Sequence, residues 1–369
     1  MLWKKRNKNK PGTHVPGLLY CGKVFSENVI HYSIIRRKGG DMVRQGLQWI
    51  VAALVAVLLC NGLLWLYHDP AVWMAREGGA TDAIWHPGAR LVMGTEGRGI
   101  HRVDSRGYLN PEKPLAEDFV LVVGSSFTQG KEVPAGQRFT DLLNDALAES
   151  GEALAVYNVS QDGFYLPDIL RCLSALVVEF PGAKTLVIET GTTAFSAEAL
   201  AAPLEIPNPA ARGPVLMEQM SPGARLWLRA KEALPILTVA KAQLTAMADG
   251  PASEAPVPAG EETVKGALAR LRQQFPGEIL ILYHPSVEIT RSGMAVIEEE
   301  TTPAFRAACE DAGILFVDTS EAFLAAYSEA FLVPYGFFNT TLGSGHLNAH
   351  GHRLCAEALL PHLKGGAGG

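Results

Sequence analysis

The chain has 369 residues, of which 48% are hydrophobic and 19% are charged, and its net charge is −6. This length suggests about two domains, and the apolar content is sufficient for a buried core, which excludes a disordered chain. The acidic balance argues against a general nucleic-acid binder, because neutralising a phosphate backbone requires clustered lysine and arginine.

The charge is distributed unevenly along the chain. Residues 1–46 carry ten Lys or Arg and two Asp or Glu, a net of +8, whereas the rest of the chain carries a net of −14. A boundary between two environments produces such an asymmetry, and a membrane is the usual boundary. We therefore predict that residues 1–46 form a basic cytoplasmic segment.

An uncharged stretch of 21 residues, Leu47 to Tyr67, follows the basic segment. As a helix it would be about 31 Å long, which matches the hydrocarbon core of a bilayer. Trp49, Trp65 and Tyr67 lie near its ends, where aromatic residues contact the membrane interface. We predict a single-pass anchor in the cell membrane, with the N-terminus in the cytoplasm and the rest of the chain extracytoplasmic.

Two alternatives compete with an anchor at this position. A cleaved signal peptide normally has an apolar region of about 7–15 residues and a small-residue cleavage site, and no convincing site follows Tyr67. A buried core helix is seldom apolar on every side over this length. The length of the stretch therefore favours an uncleaved anchor, followed at 68–116 by an irregular stalk and entry loop.

From residue 117 onward, buried strands alternate with amphipathic helices. The run Phe119–Val123 is entirely apolar, which is typical of a strand buried on both faces of a parallel sheet. The alternation predicts an α/β domain at 117–363 with right-handed crossovers, a long insertion at about 197–260 and a flexible tail at 364–369. The predicted strands are 119–123, 154–158, 185–189, 278–283 and 314–318, and the predicted helices are 137–149, 166–179, 224–247, 261–274, 302–312 and 348–363.

The loop after the first predicted strand is the first candidate for chemistry. Active sites of open α/β sheets lie in the loops beyond the carboxyl ends of the strands. This loop reads GSSFTQG, from Gly124 to Gly130. Such a turn can present the hydroxyl of Ser126 above the sheet, with the backbone N–H of the same residue facing a developing oxyanion. The alternative is a phosphate-type or purely structural turn, since a glycine-serine turn alone is a weak signal.

A histidine near the C-terminus strengthens the nucleophile interpretation. His346 precedes the last predicted helix, where it can meet a serine presented by the first strand and activate it. Surface or capping roles for His346, His350 and His352 are the plainer interpretation. A metal site on these histidines is disfavoured, because only His346 and His350 are spaced for one helical face and no glutamate accompanies them. We predict neither a metal nor a cofactor.

Together these residues resemble the motifs of the SGNH (GDSL-like) hydrolase superfamily over about residues 117–363, outside the insertion. The resemblance implies a three-layer, flavodoxin-like α/β fold and a serine hydrolase. It assigns the nucleophile to Ser126, a backbone oxyanion donor to Gly163 and the general base to His346. The matching positions are Gly124, Ser126, Thr128 and Gly130 in the first block, Asn158 and Gly163 in the second, and His346, Leu347, Asn348 and Gly351 in the last.

The sequence departs from the family pattern at three places. Ser125 replaces the aspartate of the first block, and Thr193 replaces the asparagine that donates to the oxyanion, although a hydroxyl could still donate. The acid that usually precedes the histidine is absent, since Gly343 and Ser344 occupy its positions. Loss of a triad acid reduces activity by orders of magnitude unless another group orients the histidine. Candidates for that group are a backbone carbonyl, Ser344, Asp318 and Glu189.

These motifs support two functions. The first is a serine hydrolase that uses Ser126 and His346 on O-acyl esters, with acyl transfer to a sugar as a variant of the same chemistry. The family resemblance implies an ester-bearing small molecule or an acylated cell-surface polysaccharide as substrate. The second is a catalytically degenerate domain that binds glycans or assists envelope assembly. The oligomeric state stays open. The residues expected at the pocket are Ser125, Thr128, His284 and Ser344.

Overall fold

The computed structural model describes residues 24–75, 83–113, 115–152, 154–201, 220–248 and 257–364. Its contacts divide the chain into two units, Met1–Leu59 and Cys60–Gly369. The described residues of the first unit belong to helix α1, Val24–Tyr67, whose last eight residues belong to the second unit. The segment Asp41–Tyr67 of this helix is long and apolar enough to cross a membrane. Residues 1–23 of the predicted basic segment lie outside the described residues.

The segment after α1 is folded, which differs from the irregular stalk predicted at 68–116. It contains the short strands β1 (Trp73–Ala75), β2 (Ala83–Trp85), β3 (Arg90–Met93) and β4 (Gly99–Arg102), which pair as the antiparallel ribbons β1–β2 and β3–β4. Strands of three or four residues are too short to show a hydrophobic period, so sequence patterns do not reveal them. The buried apolar cluster of this segment consists of Ala71, Trp85, Leu91, Val103 and Leu109.

The rest of the second unit is built on a parallel sheet. The strands are β5 (Phe119–Val123), β6 (Ala155–Asn158), β7 (Ala183–Thr190), β8 (Glu278–Tyr283), β9 (Ser286–Thr290), β10 (Gly293–Ile297) and β11 (Leu315–Asp318). Five of them pair in parallel in the order β11-β8-β7-β5-β6, and β9 and β10 form a separate antiparallel hairpin. Counted within the large sheet, the order is that of flavodoxin-like folds. The predicted α/β fold with a parallel sheet is confirmed.

Helices cover both faces of this sheet and give three layers. They are α2 (Ser126–Gln129), α3 (Phe139–Glu149), α4 (Leu166–Glu179), α5 (Ala197–Ala201), α6 (Pro222–Ala233), α7 (Pro235–Ala248), α8 (Glu261–Gln274), α9 (Thr302–Asp311), α10 (Ser320–Ala330) and α11 (Ala349–Leu363). One core cluster includes side chains of α4, α5, α8 and α9, and the other includes side chains of α3, α10 and α11. The five side chains of β5 belong alternately to the two clusters and are at most 1% exposed. Burying one such side chain contributes about 1.5–3 kcal/mol.

The insertion holds two helices where the sequence predicts one at 224–247. Helices α6 and α7 are separated at Leu234, because Pro235 has no backbone N–H and its ring clashes with the preceding turn. Proline instead suits the first turn of the next helix, where it starts α7. Residues 202–219 and 249–256 of the predicted insertion, and 365–369 of the predicted tail, lie outside the described part of the chain.

Candidate active site

The predicted nucleophile turn lies where the strand order of the sheet reverses. Strands β5 and β7 are neighbours although β6 lies between them in sequence, so the connections at their carboxyl ends diverge and leave a crevice. Ser125 caps α2 in extended backbone, and its hydroxyl oxygen accepts the N–H of Phe127 at 3.3 Å. Gly130 ends α2 in a left-handed conformation (φ 59°) that favours glycine. The turn therefore places Ser126 at the first position of a short helix at the carboxyl end of β5.

Ser126 and His346 meet at this crevice. Oγ of Ser126 lies 2.8 Å from Nε2 of His346, although the two residues are 220 positions apart. His346 precedes α11, which Asn348 caps by accepting the N–H groups of His350 and Gly351. The cap fixes the backbone next to the histidine, and a 2.8 Å contact is the geometry that a general base requires.

The acid that orients His346 comes from the folded segment before the sheet. Glu96 lies in the turn between β3 and β4, with Oε2 2.7 Å from Nδ1 of His346. Its other oxygen, Oε1, accepts the backbone N–H of His346 at 2.8 Å. Glu96 is not recognisable in the sequence, because it is 250 positions from the histidine and outside the family resemblance. The only sequence signal is the run GTEGRG, whose glycines indicate a tight turn.

The groups predicted to replace the missing acid have other contacts. Asp318 pairs with Arg306. Glu189 places Oε1 2.7 Å from Nε2 of His284. Ser344 lines a cleft beside the crevice. The prediction that one of these residues orients the histidine is therefore corrected, because the turn between β3 and β4 already occupies the Nδ1 side of that ring.

The turn that carries Glu96 is held from three directions. Asn339, in the loop before α11, accepts the N–H of Gly97 at 2.9 Å. The N–H of Arg98 donates to the carbonyl of Glu132 at 2.9 Å. The guanidinium of Arg98 donates to two carbonyls at the end of α1, each at 2.9 Å. Such contacts fix the carboxylate before a substrate binds, which is what preorganised catalysis requires.

The charges around His346 favour its protonated form. Burial lowers the pKa of His346, but the hydrogen bond to Glu96 and the charges of Glu132 and Glu96 outweigh burial, so the pKa lies above the ordinary value. Burial raises the pKa of Glu96, but the hydrogen bonds from His346 outweigh it and the pKa lies below the ordinary value. Burial raises the pKa of Glu132, whose Oε1 is 3.9 Å from Nδ1 of the histidine. A more basic imidazole is better suited to take a proton from a serine hydroxyl.

A second carboxylate lies beneath the nucleophile turn. Oε2 of Glu189 accepts the N–H and the hydroxyl of Ser125 at 2.7 and 2.9 Å, and the hydroxyl of Thr128 at 2.9 Å. His284 joins Oε1 of this carboxylate to the hydroxyl of Tyr335, which lies 2.9 Å from its Nδ1. Burial raises the pKa of Glu189, but the contacts with His284 and Ser125 outweigh burial and lower it. An aspartate at position 125 would repel this carboxylate, which explains the serine there.

We expect Glu189→Ala to reduce the free energy of unfolding by about 3–5 kcal/mol, because the buried partners of the carboxylate lose their acceptor. Urea denaturation of the full chain measures this change. Glu329→Ala is the matched control, since Glu329 is an exposed glutamate of α10, and it should change the free energy by at most about 0.5 kcal/mol. An equal, small effect of both substitutions would contradict the structural role of Glu189.

Thr193 has a different environment from the one predicted. Its hydroxyl is buried and lies 2.9 Å from Oε2 of Glu299, 2.7 Å from the hydroxyl of Thr301 and 3.1 Å from that of Thr302. The backbone N–H of Thr193 donates to the same glutamate at 2.5 Å. These contacts place Thr193 in a polar cluster of its own and do not support its predicted role as an oxyanion donor.

Gly163 lies in the loop after β6. It adopts a left-handed conformation (φ 69°), which a residue with a side chain would rarely adopt. In the same loop, the N–H of Gln161 donates to the carbonyl of Gly124 at 3.0 Å. This bond holds the loop of Gly163 next to the turn that presents Ser126.

A cleft of about 410 Å³ opens beside Ser126 and His346. Phe127 and Gly345, the chain neighbours of the serine and the histidine, contribute to its walls. Of the residues predicted at the pocket, His284 and Ser344 line this cleft. The hydroxyls of the other two, Ser125 and Thr128, are directed to the carboxylate beneath the turn. The cleft is large enough for a small ligand group next to the hydroxyl of Ser126.

The other two histidines of the C-terminal segment lie apart from the pair. His350 is exposed. His352 is buried, its Nδ1 accepts the N–H of Phe139 at 3.3 Å, and burial lowers its pKa to about 3. Within the described ranges of the chain, no three His, Cys, Asp or Glu side chains are grouped so that they could hold a metal ion. The neutral His352 therefore has a packing role.

Comparisons with known proteins give matches to solved structures. No family model and no curated protein matches the chain. An acetyl xylan esterase is 15% identical, with a TM-score of 0.38, over 66% of this chain and 99% of its own. The lipase/acylhydrolase from Enterococcus faecalis is 13% identical, with a TM-score of 0.38, over 67% and 96%. A GDSL-like lipase from Parabacteroides merdae is 14% identical, with a TM-score of 0.38, over 68% and 96%. These structures are similar to the chain in fold, at low sequence identity.

Proposed function

We propose that the protein is a serine hydrolase of the SGNH type that cleaves or transfers O-acyl esters. The proposal is carried by two consecutive hydrogen bonds, 2.8 Å from Oγ of Ser126 to His346 and 2.7 Å from His346 to Glu96. A nucleophile, a base and an orienting acid form a catalytic triad, which is recognised by geometry and not by sequence order. The alternative of a degenerate domain rests on the three departures from the family pattern, at Ser125, at Thr193 and before His346. The contact of Glu96 with His346 supports the hydrolase over this alternative, because it places a carboxylate where a triad acid is required.

The first half of the reaction acylates the enzyme. Oγ of Ser126 attacks the carbonyl carbon of the ester while Nε2 of His346 takes the hydroxyl proton. The tetrahedral intermediate then collapses, the bond to the alcohol oxygen breaks, and the protonated histidine donates its proton to the leaving alcohol. Glu96 accepts the hydrogen bond from Nδ1–H, which leaves Nε2 free to accept a proton and stabilises the imidazolium.

The second half returns the enzyme to its starting state. A water molecule, or a hydroxyl of an acceptor sugar, attacks the acyl carbon while His346 takes its proton. The bond to Oγ of Ser126 breaks, and the histidine returns the proton to that oxygen. Water yields a free acid and an acceptor hydroxyl yields a new ester, so both outcomes use the same residues.

We assign oxyanion binding to the backbone N–H groups of Ser126 and Gly163. The N–H of Ser126 lies at the first helical position of α2, where a helix provides no internal acceptor. The loop of Gly163 is held beside this turn by the bond from Gln161 to Gly124. A donor aimed at a developing oxyanion contributes about 10²- to 10³-fold to kcat.

The cleft favours a short acyl group on a hydroxylated molecule. Its volume of about 410 Å³ suits a small ligand group, and Tyr165, Thr192 and Ser286 contribute polar side chains to its walls. Hydroxyl groups on the walls can bind the hydroxyls of a sugar. We therefore propose acetyl or similarly short O-acyl groups on a carbohydrate or a small alcohol as the substrate.

Helix α1 is proposed to anchor this hydrolase to the cell membrane. The segment Asp41–Tyr67 is long and apolar enough to span a bilayer, and basic residues precede it, which places the N-terminus in the cytoplasm. A periplasmic-type reporter fused after Gly369 should therefore be active only outside the cytoplasm. A mature chain that begins after residue 67, detected by mass spectrometry, would contradict the anchor and identify a cleaved signal peptide.

A fluorophosphonate probe tests the hydrolase function. The full chain, purified in detergent, should bind about one probe molecule per chain and lose esterase activity in proportion, because a phosphonate traps an activated serine. Peptide mass spectrometry should place the probe on Ser126. A probe found on a different residue, or esterase activity that persists without any labelling, would contradict the proposal.

A further inference from the structure

The turn that carries the proposed catalytic acid is joined to the end of α1. The guanidinium of Arg98 donates to the carbonyls of Leu66 and Tyr67, each at 2.9 Å. Gly94 approaches so closely that a Cβ atom there would lie 2.0 Å from the carbonyl oxygen of Tyr67. Two positions of chain separate Arg98 from Glu96, a span of at most about 7 Å. The triad therefore lies close to the point where α1 ends.

The connection between helices α6 and α7 contacts α1 at Asn61, before the end of that helix. The side-chain amide of Asn61 donates to the carbonyl of Ala233 at 3.0 Å, and its oxygen accepts the N–H of Ile236 at 3.3 Å. Asn61 lies six positions before Tyr67, which corresponds to about 9 Å along a helix axis. The connection between α6 and α7 therefore contacts α1 within its apolar stretch.

Exposed apolar side chains are present on both helices of this pair. Leu226 and Trp227 on α6 are 73% and 58% exposed, and Leu244 on α7 is 68% exposed. Arg225 and Arg229 lie on the same helix as the tryptophan. Apolar side chains next to arginines are typical of helices that lie in a membrane interface, where the arginines contact lipid phosphates.

A second exposed apolar pair lies on the loop that carries the catalytic histidine. Phe338 and Leu342 are 87% and 58% exposed. Asn339, between them in sequence, donates to the carbonyl of Gly94 at 3.0 Å and so binds the turn that contacts the end of α1. The apolar pair therefore flanks a residue that binds the turn of Glu96.

We propose that α6, α7 and the loop of Phe338 lie in the headgroup region of the bilayer, and that the ester is attached to a membrane-embedded molecule. The occupant of these surfaces is lipid, because Asn61 joins the connection between α6 and α7 to a part of α1 where Leu63 and Leu66 are also exposed. A substrate held in the membrane reaches Ser126 along this apolar edge without leaving the interface. The substrate class rests on the proposed hydrolase function, whereas the membrane contact does not.

Lipid quenching of site-specific labels tests the membrane contact. The full chain, with Cys21, Cys60 and Cys172 replaced by alanine, is given one new cysteine as Leu226→Cys, Leu244→Cys or Phe338→Cys. Each variant is labelled with an environment-sensitive fluorophore and placed in nanodiscs whose lipids carry a nitroxide below the headgroup. Glu278→Cys is the matched control, because this residue is exposed at the start of β8, at the opposite edge of the sheet from the triad. Circular dichroism verifies that each variant is folded.

We expect the labels at positions 226, 244 and 338 to be quenched at least about threefold more than the label at position 278. If these labels are quenched no more than the control, the membrane contact is wrong. That result is the one expected if a protein partner, and not lipid, covers these surfaces. The full chain in such nanodiscs should hydrolyse a lipid-borne acetate ester with a kcat/KM at least about tenfold above its kcat/KM for the matching water-soluble ester. Equal values would overturn the substrate class. Failure to hydrolyse either ester would instead contradict the hydrolase function and leave the quenching result unaffected.

Discussion

Replacing Ser126 by alanine should reduce kcat for ester hydrolysis by about 10⁶-fold, the effect of removing a triad nucleophile. The proposed reaction passes through Oγ of this residue, which lies 2.8 Å from the base, so its removal leaves only substrate binding and the oxyanion donors to act. KM should change little, since the substitution deletes one atom at the edge of the cleft. Steady-state hydrolysis of a chromogenic acetate ester measures both constants.

The matched control for this substitution is Ser328→Ala. Ser328 is on α10, and its exposed hydroxyl bonds the carbonyl of Ala325 within the same helix, so the control removes an equal group from a site without chemistry. Its kcat should equal that of the wild type. If Ser126→Ala kept most of the wild-type kcat, the nucleophile would have to be sought elsewhere.

Replacing Glu96 by glutamine should lower kcat by about 10⁴-fold, as expected for a triad acid. The amide keeps the shape of the side chain but removes the charge that stabilises the imidazolium, and it can hold His346 in the wrong tautomer. Glu132→Gln is the informative comparison, because Glu132 lies 3.9 Å from Nδ1 and the 2.7 Å contact belongs to Glu96. Its effect on kcat should be much smaller. Equal losses from both substitutions would contradict the assignment of the acid.

The pH dependence of kcat/KM gives a second readout of the same contact. The base must be neutral, so activity falls as His346 becomes protonated, and its raised pKa moves this acidic limb to higher pH than an unperturbed histidine would give. Without the charge of Glu96, the pKa of His346 should fall and the limb should move to lower pH. A profile of kcat/KM for wild type and Glu96→Gln measures the shift. An unmoved limb would show that Glu96 does not act on the imidazole.

The double substitution separates a triad from two independent effects. In a triad the three groups act as a unit, so Ser126→Ala combined with Glu96→Gln should lower kcat no further than Ser126→Ala alone. Hydrolysis rates of the two single variants and the double variant form the required cycle. Losses that multiply would contradict the joint action of Ser126, His346 and Glu96.

Much of the sheet and its helices is predictable because their signals are local. Strand β5, helix α8 and strand β8 have the bounds that the sequence predicts, since each is a short run with a clear apolar period or a continuous apolar core. Helix α10 and the hairpin of β9 and β10 escape prediction. The hairpin strands are mostly exposed and short, so pairing with each other defines them more than any periodicity does.

The candidate site also contains residues that the sequence predicts and contacts that it does not. Ser126 and His346 stand in motifs with recognisable neighbours. The strand-helix alternation predicts a parallel sheet whose loops meet at one edge, whereas its strand order is implied only by the family resemblance. Glu189 illustrates the limit, because it is visible at a strand end but its true partner, His284, is 95 positions away. Choosing between partners at such distances requires coordinates.

The sequence by itself determined an α/β domain after a long apolar helix, and it singled out the serine and the histidine, because apolar periods and glycine turns act over a few residues. Only the tertiary structure decided that Glu96 is the carboxylate in contact with His346, that Thr193 belongs to a separate polar cluster, and that the segment predicted as a stalk is folded against the end of α1. The physical reason is that a hydrogen bond depends on distance in space. A carboxylate 250 positions from its histidine leaves no local pattern for a reader of the sequence to find.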